Sequence, residues 1–174
     1  MKTMRVMVIV LLLMVGTHGA YAQENSKEDK LVSISKVLLS NAKQLDTIES
    51  ELLGIVKSGN DDSLESRKTT LTLIMIFDHI VTICNYEGNL FQLSKFVEGK
   101  RKEKFFVWSG NRLRDTKDKV NSLFNIIESN QKYVKYPPSA QLIDKAKEPI
   151  QSSITLLEKS MDLLEADKGI YFLD

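Results

Sequence analysis

The chain has 174 residues, of which 43% are hydrophobic and 27% are charged, and its formal net charge is +1 at pH 7. This length suits one domain with a buried core. Because the charge is close to zero, the chain has no overall attraction for nucleic acid, and nucleic-acid binding is not expected. Its 8 Gly and 3 Pro are few for this length, which favours long helices over a turn-rich β fold.

The first 22 residues have the pattern of a secretory signal peptide. Lys2 and Arg5 make a positively charged start, residues 6–15 are an unbroken apolar run, and residues 20–22 have the small-x-small spacing that signal peptidase cleaves. Ten apolar residues form a helix of about 15 Å, half of the roughly 30 Å that a bilayer core requires. We therefore predict cleavage after Ala22, with an uncleaved membrane anchor as the alternative.

Cleavage after residue 22 leaves residues 23–174 as the mature chain. We predict that this chain is soluble, has no transmembrane span and resides in the periplasm or outside the cell. It loses Lys2 and Arg5 but no acidic residue, so 22 basic and 23 acidic residues give a net charge of −1. Its single cysteine, Cys84, rules out an intramolecular disulfide, so the core alone must hold the fold.

The first predicted helix runs from about Lys27 to Lys57. Ser26 and Asp29 have the spacing of a capping box, in which two side chains satisfy the free amides of the first turn. Apolar residues then recur at alternating spacings of three and four. Asn41 stands at the one position of this pattern that has no apolar residue. These apolar residues are Leu31, Ile34, Leu38, Leu45, Ile48, Leu52 and Ile55.

The second predicted helix follows a turn at residues 58–61 and starts at Asp62 with Glu65. It extends to about Glu98 and is the most apolar of the series. Its apolar arc is too wide for a surface helix, which predicts the most buried member of a bundle. Gly88 lies inside this helix and is a candidate for a kink.

The third predicted helix runs from about Lys100 to Tyr133. The glycine of residues 109–111 (Ser-Gly-Asn) argues for a break, with a helix start at Arg112. A seven-residue apolar repeat passes straight through Gly110, however, and favours one continuous helix. The repeat consists of Phe106, Leu113, Val120, Ile127 and Val134.

The fourth predicted helix follows residues 136–138 (Tyr-Pro-Pro), where proline ends the third. Ser139 can cap it, and Pro149 inside it predicts either a kink or a later start. The apolar tail at residues 169–173 is predicted to fold back over one end of the bundle. No segment alternates with period two. We therefore predict an all-α fold, a single up-down-up-down bundle of about four long antiparallel helices at residues 23–174.

Residues for metal binding or catalysis are sparse in the mature chain. Its one histidine is His79, whereas a helix-borne metal centre needs a second His or a Glu-x-x-His pair, and position 76 is Ile. Asp78 and His79 lie about 100° apart on a helix and do not orient each other as a catalytic pair. No Gly-x-Ser-x-Gly motif is present. We predict a non-enzymatic protein with no catalytic residues, no metal site and no cofactor.

A haem carrier is the alternative function, with the iron held between His79 and Met161 on different helices. The favoured interpretation is a half-buried histidine beside Met75, Ile83 and Tyr86, because a lone histidine on a helix seldom binds a ligand.

The single cysteine lies on the apolar face of the second helix. Cys84 shares a helical stripe with Phe77, Ile80 and Phe91, which is typical of a small core residue. No Lys or Arg lies within one turn to lower the pKa of the thiol. We predict a buried, unreactive thiol, with an intermolecular disulfide as the alternative.

Residues 95–119 are the one strongly charged segment, with nine basic and four acidic residues and a net charge of +5. Phe96, Phe105, Phe106 and Trp108 are interleaved with the charges. Basic and aromatic residues together suit an acidic protein partner or an anionic membrane or glycan surface, and we predict an interaction protein. The candidate contact residues are Lys100, Arg101, Lys102, Lys104, Arg112, Arg114 and Trp108. The alternative is a solvated helix end whose aromatic rings face the core.

Overall fold

The computed structural model describes residues 26–61 and 63–165 and confirms the all-α class. It contains four helices: α1 (Lys27–Ser58), α2 (Leu64–Leu93), α3 (Lys100–Gln131) and α4 (Pro137–Glu165). Within the described ranges no residue is in a β-strand. The predicted signal peptide and the tail at residues 169–173 lie outside the described residues.

The α1 helix begins and ends where local hydrogen bonds predict. The Ser26 hydroxyl accepts a hydrogen bond from the backbone N–H of Asp29 at 3.2 Å, which satisfies one of the free amides of the first turn. Gly59 ends the helix at φ +71°, a left-handed conformation that glycine adopts without a Cβ penalty. Its N–H donates to the carbonyl of Val56 at 3.3 Å.

The predicted bounds of α2 were wrong at both ends. Its N-cap is Ser63 rather than Asp62, because the Ser63 hydroxyl accepts a hydrogen bond from the backbone N–H of Ser66. The helix ends at Leu93 and not near Glu98, and a single 3₁₀ turn follows at Ser94–Phe96. The Ser94 hydroxyl donates a hydrogen bond to the Phe91 carbonyl at 2.6 Å. Carbonyl groups in the last turn of a helix have no amide partner from a following turn, and this hydrogen bond supplies one such carbonyl with a donor.

The two glycines inside the predicted helices have different surroundings. The α3 helix continues through Gly110, as the seven-residue repeat predicts, and a Cβ there would lie 3.4 Å from the Cβ of Leu164 on α4. A Cβ at Gly88 would lie 2.8 Å from Cγ of Leu39 on α1. Glycine at position 88 therefore lets α2 approach α1 closely, whereas a Cβ at position 110 would make only an ordinary van der Waals contact with α4.

The α4 helix starts two residues before the predicted Ser139 cap. Pro137 is its first residue, a position that proline favours because its fixed φ suits the helix and its missing N–H would have no partner there. The helix runs on through Pro149, so the later start is excluded. The Ser153 hydroxyl donates to the Pro149 carbonyl at 2.8 Å.

Short connections make consecutive helices antiparallel neighbours, as predicted. The α1 helix packs against α2 and α4, α3 packs against α4, and the side between α2 and α3 is the most open. Large residues from all four helices have no exposed surface, among them Leu45, Phe77, Ile127 and Ile150. Asn41, at the vacant seam position of α1, donates to the hydroxyls of Ser152 and Ser153 on α4.

One end of the bundle is formed by the start of α1 and by the turn that joins α2 to α3. Two ion pairs bind these parts together: Lys95 to Asp29 at 3.1 Å, and Lys102 to Glu28. We call this end the α2–α3 end. The turn between α3 and α4 lies at the opposite end, where the backbone N–H of Lys135 donates to the Ser66 hydroxyl.

In the described part of the chain, the segment Leu64–Phe96 is long and apolar enough to cross a membrane by length and composition, with a mean hydropathy of 1.3 over its most apolar window. A core helix of a soluble bundle meets the same criteria. This segment packs along α1, and Leu73, Phe77 and Ile80 on its inner face are fully buried.

Candidate functional site

Four of the seven candidate residues form one exposed surface on the first turns of α3. Lys100, Arg101 and Lys104 are exposed, and Trp108 has 48% of its surface exposed. At 100° per residue these four side chains lie within about 100° of one another around the helix. Among the described residues, no carboxylate forms an ion pair with the three cations. These four side chains therefore share one exposed side of α3.

The turn between α2 and α3 adds apolar residues to this surface. Phe96 is 80% exposed, the largest exposed fraction among the large hydrophobic residues of the described chain, and Leu93 is also exposed. An open depression of 580 Å³ lies beside the ring, lined by Phe96, Val97, Glu98, Lys100 and Arg101. Leu93 and Val97 were not predicted to belong to this surface, because the sequence placed them within a buried helix. The signal available in the sequence was Gly99, because glycine is common where the chain reverses direction. In the structure this glycine has φ +57°.

Lys102 points to the other side of α3 and does not join this surface. Its ammonium group pairs with the Glu28 carboxylate on α1. That hydrogen bond holds the pKa of Glu28 below its ordinary value, against the opposing effect of partial burial. Lys102 therefore fastens the start of α3 to the start of α1.

Arg112 is held between α2 and α3. It donates to the Glu87 carboxylate at 2.5 Å, and its guanidinium lies 4.3 Å from the ring centre of Tyr86 and 5.0 Å from that of Trp108. Glu87 is only 1% exposed and also accepts a hydrogen bond from the Thr116 hydroxyl. Burial raises the pKa of Glu87, although Arg112 and Thr116 act in the opposite direction. Arg112 thus forms a structural ion pair and presents no free cation.

Arg114 lies farther along α3, ten residues and about 15 Å beyond Lys104. Six residues separate it from Trp108, which places the two side chains about 120° apart around the helix. Arg114 is exposed but interacts with another group of the protein. It is therefore not part of the surface formed by Lys100, Arg101, Lys104 and Trp108.

The aromatic residues of the segment divide between core and surface. Phe106 is buried and Phe105 is half-buried, with their ring centres 5.8 Å apart, as the alternative interpretation expects. Phe96 and Trp108 are exposed, contrary to that interpretation. Trp108 is 6.5 Å from Phe105, so it is linked to the core through that ring.

His79 is exposed, so the expected half-buried position was wrong. Met75, one turn away, is also exposed, whereas Met161 on α4 is partly buried against the core. No group of three or more His, Cys, Asp or Glu side chains suited to a metal ion occurs in the described ranges.

We expect Cys84 to react slowly with thiol reagents in the native protein. The residue is fully buried, and burial raises the pKa of its thiol, although a hydrogen bond with Ser153 acts in the opposite direction. Less thiolate and no solvent access both slow the reaction. Labelling with a chromogenic disulfide reagent should be complete only after urea unfolding. Rapid stoichiometric labelling without urea, or a native disulfide-linked dimer, would contradict this expectation.

No protein-family model, curated protein or solved structure matches this chain. Function is therefore inferred from the geometry of its own residues.

Proposed function

We propose that this protein is an exported, non-enzymatic binding protein that docks onto an anionic lipid surface through its α2–α3 end. The observation that carries the proposal is the 80% exposure of Phe96, at the tip of a helix connection and beside cations that no carboxylate in the described chain neutralises. We call Leu93, Phe96, Lys100, Arg101, Lys104 and Trp108 the docking surface.

A lipid surface fits this chemistry better than an acidic protein does. The apolar residues lie on an exposed turn, and the depression beside them is open. A projecting Phe enters the interfacial region of a bilayer without needing a matching cavity. The surrounding Lys and Arg stay at the level of the phosphate groups, as in amphipathic interfacial segments.

The expected contributions to the binding free energy are those of a reversible membrane contact. A Lys or Arg near an anionic membrane contributes about 1 kcal/mol, so Lys100, Arg101 and Lys104 together contribute about 3 kcal/mol. Burial of a Phe side chain contributes a further 1.5–3 kcal/mol. Because the predicted mature chain carries a net charge of −1, the attraction is local and orients the bundle with its α2–α3 end toward the membrane.

Export to the periplasm or extracellular space is part of the proposal. The charged start, the apolar run at residues 6–15 and the cleavage spacing before residue 23 support it. Residues 1–25 join the described chain at Ser26, which lies at the α2–α3 end. An uncleaved segment would therefore tether the same end to a membrane.

Vesicle co-sedimentation tests the proposal. The protein that starts at Gln23 should sediment with vesicles that contain phosphatidylglycerol, and not with vesicles of pure phosphatidylcholine. Binding should weaken as salt rises, because exposed charges are screened over about 8–10 Å. Trp108 is the only tryptophan, so a blue shift of the emission on binding reports on this surface directly.

Variants at the α2–α3 end and at positions away from it provide matched comparisons. Arg101→Glu with Lys104→Glu should weaken vesicle binding at least tenfold, since each cation contributes about 1 kcal/mol and 1.4 kcal/mol is a factor of ten. Phe96→Ser should weaken it about tenfold. Controls are Lys43→Glu with Lys145→Glu, and Tyr133→Ser at the opposite end, all at exposed positions. Absence of vesicle binding at low salt, or equal losses in test and control variants, would overturn the proposal.

A further inference from the structure

The docking surface presents a large apolar ring to water when no membrane is in contact with it. Phe96 is 80% exposed, and the open depression of 580 Å³ beside it is lined by Val97, Lys100 and Arg101 among others. Contact of an apolar ring with water is unfavourable. The depression is therefore a place where an apolar segment gains free energy by binding.

The α4 helix ends beside this surface. In an up-down-up-down bundle the last residues of α4 lie at the same end as the first residues of α3. The structure shows this pairing, because a Cβ at Gly110 of α3 would lie 3.4 Å from the Cβ of Leu164, the penultimate residue of α4. Arg101 is nine residues before Gly110, so the start of α3 extends about 14 Å beyond this contact. The chain that follows α4 thus begins on the side of the depression.

The residues after α4 have the composition of a segment that fits this surface. The apolar tail, residues 169–173, lies outside the described ranges and contains four consecutive apolar residues at positions 170–173. Asp167 and Asp174 stand on either side of the tail, with Lys168 between Asp167 and the tail. The docking surface has the complementary composition, an exposed apolar ring beside three cations.

The tail is long enough to reach the depression. An extended chain advances about 3.3 Å per residue, so Ile170, six residues after Leu164, can lie up to about 20 Å from it. The distance to be covered is about 14 Å along α3 and about 10 Å across the helix, or roughly 17 Å in a straight line. Residues 170–173 can therefore reach the depression without any change in α4.

We propose that the tail is an internal cover for the docking surface: residues 170–173 pack into the depression beside Phe96 in solution and leave it when the surface meets an anionic membrane. The inference rests on the proposed function in one respect, that the same surface binds lipid. In the covered state Asp167 and Asp174 lie near the three cations of the docking surface, which form no ion pair with a carboxylate of the described chain. The cover is therefore held by apolar contact and by charge.

A segment of the same chain suits this position better than a second copy does. The tail is attached roughly 17 Å from the depression, and a short connection keeps a binding segment at a millimolar effective concentration. A contact of four apolar residues that is too weak to join two separate molecules is therefore populated within one chain.

The cover makes lipid binding a competition. The apparent dissociation constant for a membrane is the intrinsic constant divided by the fraction of molecules whose surface is open. A membrane gives Phe96 an apolar environment equivalent to that of the tail, and lipid phosphates replace the two carboxylates beside the cations. The exchange thus keeps the ring out of water both before and after docking.

Cross-linking locates the tail without any lipid. Glu98→Cys, at the edge of the depression, should form an intramolecular disulfide with Tyr171→Cys under mild oxidation. Asn111→Cys with Tyr171→Cys is the matched control, because Asn111 is exposed and lies closer to the end of α4 but away from the depression. We expect the first pair to cross-link about tenfold faster, since a bound tail has a higher local concentration than a freely moving one. The native Cys84 is buried and does not compete. Equal rates for the two pairs would overturn the cover.

The fluorescence of an indole beside the depression gives a second readout. Phe96→Trp in a Trp108→Phe background leaves one tryptophan in the chain. Its emission should shift to longer wavelengths when the chain is ended at Lys168, because the indole then meets water. Ile170→Ser with Phe172→Ser should cause the same shift, whereas Lys168→Ser in the full chain should cause none. An emission that is the same with and without the tail would contradict the proposal.

Vesicle binding separates this inference from the proposed function. The protein ended at Lys168 should bind phosphatidylglycerol vesicles at least about threefold more tightly than the protein with the tail, because its surface is always open. Circular dichroism checks that the shortened protein keeps its helices. Weaker binding after removal of the tail would overturn the cover and make the tail itself a lipid contact. If the Glu98→Cys pair cross-links selectively but no variant binds vesicles, the lipid proposal fails and the cover stands.

Discussion

Replacement of Arg112 by alanine is expected to destabilise the bundle by about 3–5 kcal/mol, the usual loss when one partner of a buried ion pair is removed. The reason is the burial of Glu87, which is 1% exposed and keeps only the Thr116 hydroxyl as a partner once Arg112 is absent. The variant also loses the stacking of the guanidinium on Tyr86 and Trp108. Urea unfolding at pH 7, followed by circular dichroism, measures the difference.

The same variant should show a strong pH dependence. A carboxyl group whose pKa is raised in the folded state binds its proton more tightly there than in the unfolded chain. Stability is therefore lost as pH rises above the ordinary pKa of a glutamate, about 4.3, and through the raised value in the folded protein. Burial already raises the pKa of Glu87, and removal of Arg112 takes away a charge that lowers it. The deficit of Arg112→Ala should thus be smallest near pH 4 and grow toward pH 7.

Glu87→Gln in the Arg112→Ala background provides the control. An amide carries no charge, so the double variant should recover part of the lost stability at pH 7 and lose the pH dependence. Two results would contradict this account: a change in unfolding free energy of less than about 0.5 kcal/mol in Arg112→Ala, or the same loss of stability at pH 4 and pH 7. Either would mean that the ion pair with Arg112 is not what stabilises the buried Glu87 carboxylate.

Helix periodicity predicted the fold well because each helix must bury one apolar face. The seven-residue repeat of α3 correctly outweighed the local signal of Gly110, since four buried positions of the repeat on this helix outweigh one glycine. Helix ends were less predictable. The end of α2 depends on the Ser94 hydroxyl and on the chain reversal at Gly99, and neither feature alters the apolar pattern that precedes it.

The candidate binding residues were predicted as one group because they are close in sequence. The structure separates them because their partners are distant. Lys102 pairs with Glu28, 74 positions earlier, and Arg112 pairs with Glu87 on another helix. A charge count along a segment does not reveal which cations are already paired in the folded chain. The cations left over, Lys100, Arg101 and Lys104, have no such partner among the described residues.

The wide apolar arc of α2 predicted the most buried helix, and α2 does contain more buried residues than any other helix of the described chain, although its outer face is exposed. In a four-helix bundle every helix occupies a corner, so none is surrounded on all sides. The surplus apolar residues must therefore face outward, as Met75 does.

Replacement of Ile127 by alanine is expected to destabilise the protein by about 2–5 kcal/mol, because a buried large-to-small change loses transfer free energy and leaves a cavity. Ile127 has no exposed surface and belongs to the central core. The adjacent Ile126 is 42% exposed on the same helix and is an internal control with the same side chain. Ile126→Ala should change the unfolding free energy by no more than about 0.5 kcal/mol, since surface substitutions rarely do more.

The pair of variants tests the orientation of α3 about its own axis. A rotation of about 100° would exchange the environments of residues 126 and 127 and reverse the order of the two effects. The same rotation would move Arg112 away from Glu87 and Trp108 away from the docking surface, because all of these side chains lie on one rigid helix. Thermal and urea unfolding of both variants show which of the two replacements destabilises the protein more. If both variants lost the same amount of unfolding free energy, the face of α3 that contains Ile127 would not be the face buried in the core.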